Sequence, residues 1–298
     1  MSRPPVLEIF VPYWGDPALL DACIDSVLAQ DDPDWVMTIV DDCYPDATVA
    51  RRLAAEPDAR ITYLRNERNL GITGNYERCR ELATGDLMMF LGCDDLLLPD
   101  FVRRIKDLHR EFPRAAILQV GVRVVDEHGT PIDPLTDKVK RAIMPRVGDR
   151  AELGGERLAQ SLLRGDWLYW PSLVFRTDAL RDHPFREGLP IIQDLALVID
   201  MTAAGETLAL DRTVSFAYRR HTASASSSSL LHGSRFADER RYYRDAAAEM
   251  AALGWRRAAR TARLRWTSRL HAATLVPGAL AARDRAGLRT LWSHAAER

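Results

Sequence analysis

The segment Leu87-Met-Met-Phe-Leu-Gly-Cys-Asp-Asp95 decides how the rest of the chain reads. Its five apolar residues lack the alternation of a strand half open to water, so they read as a strand buried on both faces. Such strands belong to mainly parallel sheets covered by helices on each side. This one runs into two carboxylates, Asp94 and Asp95, at the carboxyl end where open α/β sheets bind their ligands. Working outward, Val6 to Val11 leads into Pro12 and Tyr13, Val36 to Val40 leads into Asp41 and Asp42, and Ile61 to Leu64 forms a shorter run. Between the runs, Pro17 to Gln30 spaces Leu20, Ile24, Val27 and Leu28 as a helix, and another helix opens near Gly71 to Asn75. The alternation predicts an α/β fold with a mainly parallel, Rossmann-like sheet flanked by helices.

Composition removes several classes. With 298 residues, 47% of them hydrophobic and 28% charged, the chain can bury a full core and is neither a disordered segment nor a small stapled scaffold. A net charge of −1 gives no overall field for nucleic acid, although residues 254–298 carry +8 and the remainder −9. Four scattered cysteines (Cys23, Cys43, Cys79, Cys93), with no CxxC pair, fit a reducing cytoplasmic setting. The first residues lack the apolar region of a signal peptide, and no apolar stretch reaches the roughly 18 residues that cross a bilayer. Neither GxGxxG after the first strand nor GxxxxGK[ST] occurs, which argues against dinucleotide and P-loop sites; GxSxG and HExxH are also absent.

Taken singly, an Asp at a strand end is a helix cap or turn former as often as a functional group. Acidic groups converging on one crevice repel each other unless a cation or hydrogen-bond donors compensate. The expected cation is hard, Mg2+ or Mn2+, held by one or two carboxylates plus substrate phosphates.

The ordered blocks Phe10-Val-Pro-Tyr13, Ser26-Val-Leu-Ala-Gln30, Ile39-Val-Asp-Asp42, Asn69-Leu-Gly71 through Asn75, Ala83-Thr-Gly-Asp86, Phe90 to Asp95 and Pro99-Asp100 resemble the nucleotide-sugar half of family 2 inverting glycosyltransferases with the GT-A fold. A second set is similar too: Val174-Phe-Arg176, Gln193-Asp-Leu-Ala-Leu197, Gly205, and Tyr218-Arg-Arg-His221 with Ser224. The resemblance implies a GT-A catalytic domain over 1–230, divided into a nucleotide-sugar half (1–105) and an acceptor half (106–230), with a helical C-terminal region over 231–298. It implies an EC 2.4 transferase of the hexosyltransferase type that moves a sugar from a nucleotide-diphosphate donor to a hydroxyl acceptor by metal-assisted direct displacement. A nucleotidyltransferase and a non-catalytic sugar-nucleotide-binding module are the alternative readings. The first expects a basic, glycine-rich loop that Pro12-Tyr-Trp-Gly-Asp16 does not supply; the second needs no catalytic base.

Residue by residue, the resemblance places Pro12 and Tyr13 by the nucleobase, Asp42 on a base edge, Asn75 and Asp94 at the nucleotide sugar, and Asp95 on a divalent Mn2+ or Mg2+ ion, with His221 as a further metal ligand. The chain departs from the family twice. Gly92 stands where the acidic motif begins with a further Asp, and Thr73-Gly-Asn75 stands where Ala-Arg-Asn is common.

Inversion needs one carboxylate to deprotonate the acceptor, and the matching position is Asp194 in Ile191-Ile-Gln-Asp-Leu-Ala-Leu197; the plain alternative is an N-cap for a helix from Leu195 to Ala204. Arg219 or Arg220 could pair with phosphate. Trp170 is the weak acceptor candidate, against a core role for the cluster Trp167, Tyr169 and Trp170. Residues 131–155 read as an irregular insertion, and 223–229 as a flexible serine tract that is either a linker or a lid. In the tail, Trp255, Ala259, Ala262, Trp266, Leu270 and Ala273 form one helical stripe opposite several arginines. Such a helix packs on the catalytic domain or a second copy of the chain, or lies peripherally on the inner face of an anionic membrane; the alanines favour packing.

Overall fold

The computed structural model describes residues 5–55, 58–189, 191–220, 234–281 and 292. The strands are β1 (Leu7–Tyr13), β2 (Trp35–Asp41), β3 (Ile61–Arg65), β4 (Leu87–Phe90), β5 (Leu96–Leu97), β6 (Ile117–Val125), β7 (Arg150–Gly154), β8 (Leu173–Arg176) and β9 (Thr207–Arg219). They form one sheet in the order β3-β2-β1-β4-β8-β6-β9-β5, with β7 also beside β9. Six of the nine described strands run the same way, while β5, β7 and β8 oppose them. The mainly parallel expectation therefore holds, with antiparallel strands confined to the second half of the sheet.

Register brings the polar strand ends level. Leu7 sits opposite both Trp35 and Leu87, and pairing continues to Tyr13 with Asp41 on one side and Phe10 with Phe90 on the other. The ends of β1, β2 and β4 therefore open on one edge, with the acidic loop beside them.

The strands alternate between two cores, as the pleat requires. Leu7, Ile9, Val11, Met37, Ile39, Leu87 and Met89 pack under α1 (Pro17–Leu28), α2 (Thr48–Ala55) and α4 (Phe101–Glu111). Phe10, Val40, Met88 and Phe90 face the other way, toward α3 (Gly71–Leu82), α6 (Gly155–Arg164), α7 (Thr177–Arg181) and α8 (Gln193–Ala203). Residues 131–155 are more regular than the sequence suggests, because they contain α5 (Leu135–Ile143) and β7. What fixes α5 is distant in sequence: the buried Asp137 accepts both Nε and Nη2 of Arg220, at 2.8 and 3.0 Å.

The C-terminal region is helical, as expected, with α9 (Ser234–Ala252), α10 (Arg256–Leu264) and α11 (Trp266–Ala281). The single stripe is corrected, however: Arg265 takes a left-handed backbone (φ 45°) and ends α10 one residue before α11 begins. Ala258, Ala259 and Ala262 are buried, and α10 packs against α6 and α9. The carboxylate of Glu156, in the first turn of α6, accepts the Arg257 amide at 2.6 Å, a favourable placement for an anion at a helix N-terminus. Past the break, Trp266 and Leu270 are 61% and 62% exposed. Among the described residues no helix is long and apolar enough to cross a membrane.

Gly121 is where β6 and β9 approach most closely, at a register shift. A Cβ there would lie 2.4 Å from the Arg212 carbonyl oxygen and 2.8 Å from the Thr213 carbonyl carbon, both backbone atoms that cannot step aside. Gly121→Ala should therefore lower stability by about 1–3 kcal/mol in a denaturant titration; an unchanged midpoint would contradict this tight junction.

Candidate active site

The acidic loop is built between β4 and β9. Past β4 the chain turns, with the Asp95 amide donating to the Gly92 carbonyl at 3.1 Å, and enters β5, which pairs with β9. Asp95 is buried, and its Oδ1 accepts the Arg219 amide at 2.8 Å. Arg219 braces the loop further: its Nε donates to the Asp94 carbonyl at 2.7 Å and its Nη1 to the Glu127 carbonyl at 2.6 Å. Asp95 Oδ2 is buried with no hydrogen-bond partner among the described residues. Burial, and next the Asp94 charge, hold the Asp95 carboxyl well above the usual carboxylate range.

Gly92 explains the shortened acidic motif. A Cβ at that position would stand 2.6 Å from Asp95 Oδ2 and 3.0 Å from Asp94 Oδ1, so the Asp95 carboxylate occupies the room that a side chain would need. A buried carboxylate oxygen without a donor is costly unless something positive meets it. Asp94 and Asp95 thus fit a hard divalent ion whose remaining ligands come from a diphosphate and water. Among the described residues no three His, Cys, Asp or Glu side chains are grouped to hold a metal. His221 lies outside the described residues.

The strand-two end is more closed than its sequence suggests. Asp41 accepts from the Tyr44 amide (2.7 Å) and Arg65 Nη1 (2.6 Å). Asp42 accepts from Asn66 Nδ2 (2.8 Å), the Leu70 amide (2.7 Å) and the Gly71 amide (2.9 Å), so it ties β2 to the start of α3. Three of the roughly four acceptor positions of that carboxylate are thus taken by the chain itself. Asn75 completes the tie, donating to the Val40 carbonyl and accepting from Asn66, both at 2.9 Å. Tyr13 is fully buried and its hydroxyl donates to the Gly15 carbonyl at 3.0 Å.

The ring open at this strand end is Trp14, 51% exposed and edge-on to Tyr44 at 5.4 Å between centroids. Trp14 lies just outside the matching block Phe10 to Tyr13, and Tyr13 shares the parity of the buried Leu7, Ile9 and Val11, which puts its own ring inside.

Asp194 stands at the other side of the site. Helix α8 starts two residues earlier than expected, at Gln193, and its N-cap is Ile192, which makes no side-chain cap bond; Asp194 is not the cap. Its Oδ1 instead accepts the adjacent Leu195 amide at 2.7 Å. Thr73, the departure in the third block, donates to Gln193 Oε1 at 2.7 Å and so fastens the start of α8 to the start of α3. Asp194 shares a small cleft with Asp166, Leu168, Trp170 and Leu173. Burial, then the negative charge of Asp166, push its carboxyl up to about 7.

Trp170 lines that cleft while stacking on Phe90 (5.5 Å, 16°) and meeting Tyr76, Phe175 and Phe185, so much of its ring belongs to the core. Phosphate pairing by Arg219 or Arg220 is corrected, because Arg219 is held by two carbonyls and Arg220 by Asp137, where the Tyr169 hydroxyl joins it at 2.7 Å. The serine tract 223–229 and the boundary between 230 and 231 lie outside the described residues.

A carboxyl that stays protonated in the folded state up to about pH 7, and only to about 4 when unfolded, favours folding at low pH, and that contribution is lost as pH rises through 7. Asp194→Asn should consequently gain stability over the parent as pH rises from 4 to 8, by up to about 4 kcal/mol. Equal denaturation midpoints for the two proteins at pH 5 and pH 8 would contradict the raised carboxyl.

Comparison with known proteins identifies the family. The family model described as Glycosyl transferase family 2 matches residues 8–157. The putative colanic acid biosynthesis glycosyl transferase WcaA of Escherichia coli is 34% identical over 101 residues, 34% of this chain and 36% of that protein. The putative teichuronic acid biosynthesis glycosyltransferase TuaG of Bacillus subtilis is 27% identical over 183 residues, 57% of this chain and 72% of its own length. Two uncharacterised relatives, from Mycobacterium tuberculosis and Sinorhizobium fredii, are matched over only 30% and 15% of their lengths. The crystal structure of S. aureus TarS 1–349 in complex with UDP-GlcNAc superposes with a TM-score of 0.62 at 16% identity, covering 82% of this chain and 66% of that one, a likeness of fold. A matching family model across half the chain, on a sheet with its acidic loop at the carboxyl edge, makes this chain a member of glycosyl transferase family 2.

Proposed function

We propose that the chain transfers a sugar from a nucleotide-diphosphate sugar to a hydroxyl acceptor with inversion at the anomeric carbon. The observation that carries this reading is Asp194, a carboxylate whose pKa burial and the neighbouring Asp166 raise to about 7, with no cap to form. A general base works best with a pKa near the working pH. As the acceptor oxygen attacks the anomeric carbon, its proton passes to Asp194, and the nucleoside diphosphate departs from the opposite face. Trp14 offers its exposed ring to the nucleobase beside Pro12 and Tyr13, and Asp42 and Asn75 hold the loop before α3 against β2. Asp94 and Asp95 would hold a Mg2+ or Mn2+ ion, whose chemistry is to neutralise charge developing on the diphosphate. Trp170 and Leu168 line the small cleft beside Asp194, on the side from which an acceptor would approach.

UDP sugars are the donors to try first, given the UDP-GlcNAc bound by the TarS fold relative. Free cysteines, Cys23 and Cys79 among them fully buried, agree with a reducing cytoplasmic location.

Incubation with UDP-, GDP- and dTDP-sugars plus Mn2+ should reveal slow donor hydrolysis with one of them; none with any would sink the reading. Asp194→Asn should reduce transfer by about 10²–10⁴-fold while donor affinity survives, and full activity would remove the base. Asp95→Ala should weaken donor binding in Mn2+ but not in chelator; equal weakening in both would remove the metal role. The rate of transfer should climb with pH and level off above about 7, where Asp194 is ionised; a profile falling over that range would contradict a base there.

A further inference from the structure

The break at Arg265 divides the helical tail into a half that is packed and a half that is not. In α10 the alanines Ala258, Ala259 and Ala262 are buried, while Arg256, Arg257, Arg260 and Arg263 are exposed. Three of these, Arg256, Arg260 and Arg263, follow the i, i+4, i+7 spacing of one helix face. None of the four exposed arginines has an ion-pair partner among the described residues. In α11, Trp266, Leu270 and Ala273 repeat the same spacing and are exposed as well. From Trp255 to Ala281 the chain holds six arginines and no aspartate or glutamate.

The exposed face of α11 is held in place from beneath. Ser268 and Ala272 are buried, and the Thr267 hydroxyl donates to the Arg164 carbonyl. The contact is close, because a Cβ on Gly165 would lie 2.6 Å from Ile143 Cδ1 and 3.3 Å from Thr267 Cγ2. The first turn of α11 is therefore seated on the turn that follows α6, and the indole of Trp266 stands in water on a fixed support. Two large apolar side chains one turn apart forgo the burial that their size favours unless something covers them.

What covers them must also suit the arginines. A second copy meeting this face with its own would set guanidinium against guanidinium, and any other contact between copies would be head-to-tail and would not close in a pair. An anionic bilayer answers both features: its headgroups take the guanidinium charge, and an indole and a leucine enter the boundary between headgroups and acyl chains. Helix α5 supplies the contrast. It also exposes two apolar side chains one turn apart, Leu135 and Val139, but its exposed cations Lys138 and Arg141 both pair with Asp133.

We infer that the arginine face of α10 and the Trp266–Leu270 face of α11 dock together on an anionic lipid surface. No part of this contact involves the donor or Asp194, so it stands apart from the transfer reading.

The test is cosedimentation of the full chain, at low salt, with phosphatidylcholine vesicles made with or without phosphatidylglycerol. The chain should partition onto the anionic vesicles and not onto phosphatidylcholine alone, and binding should fall as salt rises. Arg256→Gln, Arg260→Gln and Arg263→Gln together should weaken partition on the order of a hundredfold, about fivefold per charge. Lysine at the same three positions keeps the charge and should hold partition within about threefold of the parent. Trp266→Ser with Leu270→Ser should weaken it on the order of tenfold or more, whereas Leu135→Ser with Val139→Ser should change it by about twofold or less. No binding to the anionic vesicles, equal losses in the α5 and α11 double variants, or a lysine triple as weak as the glutamine triple would each overturn the proposal. So would a dimer in sedimentation velocity that the Trp266 and Leu270 substitutions abolish, since the face would then belong to a second copy. Inertness toward every nucleotide sugar would defeat the transfer reading and leave the vesicle result in place.

Discussion

A carboxylate buried at the end of a strand must be held by something, and here that something is one residue of β9. Among the described residues, the amide of Arg219 supplies the one hydrogen bond to the Asp95 carboxylate, and its guanidinium grips the carbonyls of Asp94 and Glu127. β5 can pair with β9 only because the loop between β4 and β5 is folded tightly enough to bring Asp95 under Arg219. The pairing of β6 with β9 then runs from Ile117 to Val125 and sets the distance between the two halves of the sheet. Loosening this joint would disturb the acidic loop and the far edge of the sheet together.

Burial acts on the two key carboxylates in the same direction and with different results. Asp95 sits against Asp94 with one oxygen unpartnered, an arrangement that gains from a cation. Asp194 sits against Asp166 in a cleft walled by Leu168, Trp170 and Leu173, an arrangement that suits holding and releasing a proton. Both are destabilising as ions when nothing answers them, which is how functional sites commonly depart from what stability alone would select.

Much of the first half was legible because its signals are local. The run Leu87 to Leu91 is apolar throughout and Val36 to Val40 is broken only by Thr38, and β2 and β4 form on them with boundaries within a residue or so. β9 is only half legible: Val214-Ser-Phe-Ala-Tyr218 reads as a strand, whereas Asp211-Arg212-Thr213 interrupts the apolar pattern where the strand bulges past Gly121. α5 was missed because the partner of its buried Asp137 is Arg220, more than eighty residues away. The site divides similarly. Asp94, Asp95 and Asp194 are singled out by strand ends and matching blocks. Which side of β1 the rings of Tyr13 and Trp14 take, the reach of Asp42 to the Leu70 and Gly71 amides, and the break at Arg265 depend on tertiary neighbours that no short window contains.

The match to the family model ends at residue 157, two residues after α6 begins. That helix is not a seam. Leu158, Ala159, Leu162 and Leu163 fill the core beneath it, α8 packs along it, and Glu156 at its head receives the amides of α10. Anyone exchanging acceptor halves between relatives at the limit of recognisable similarity would cut through the element that joins the two halves. A chimaera should keep α6, α8 and α10 from one parent, since the boundary of resemblance and the boundary of folding are different lines in this chain.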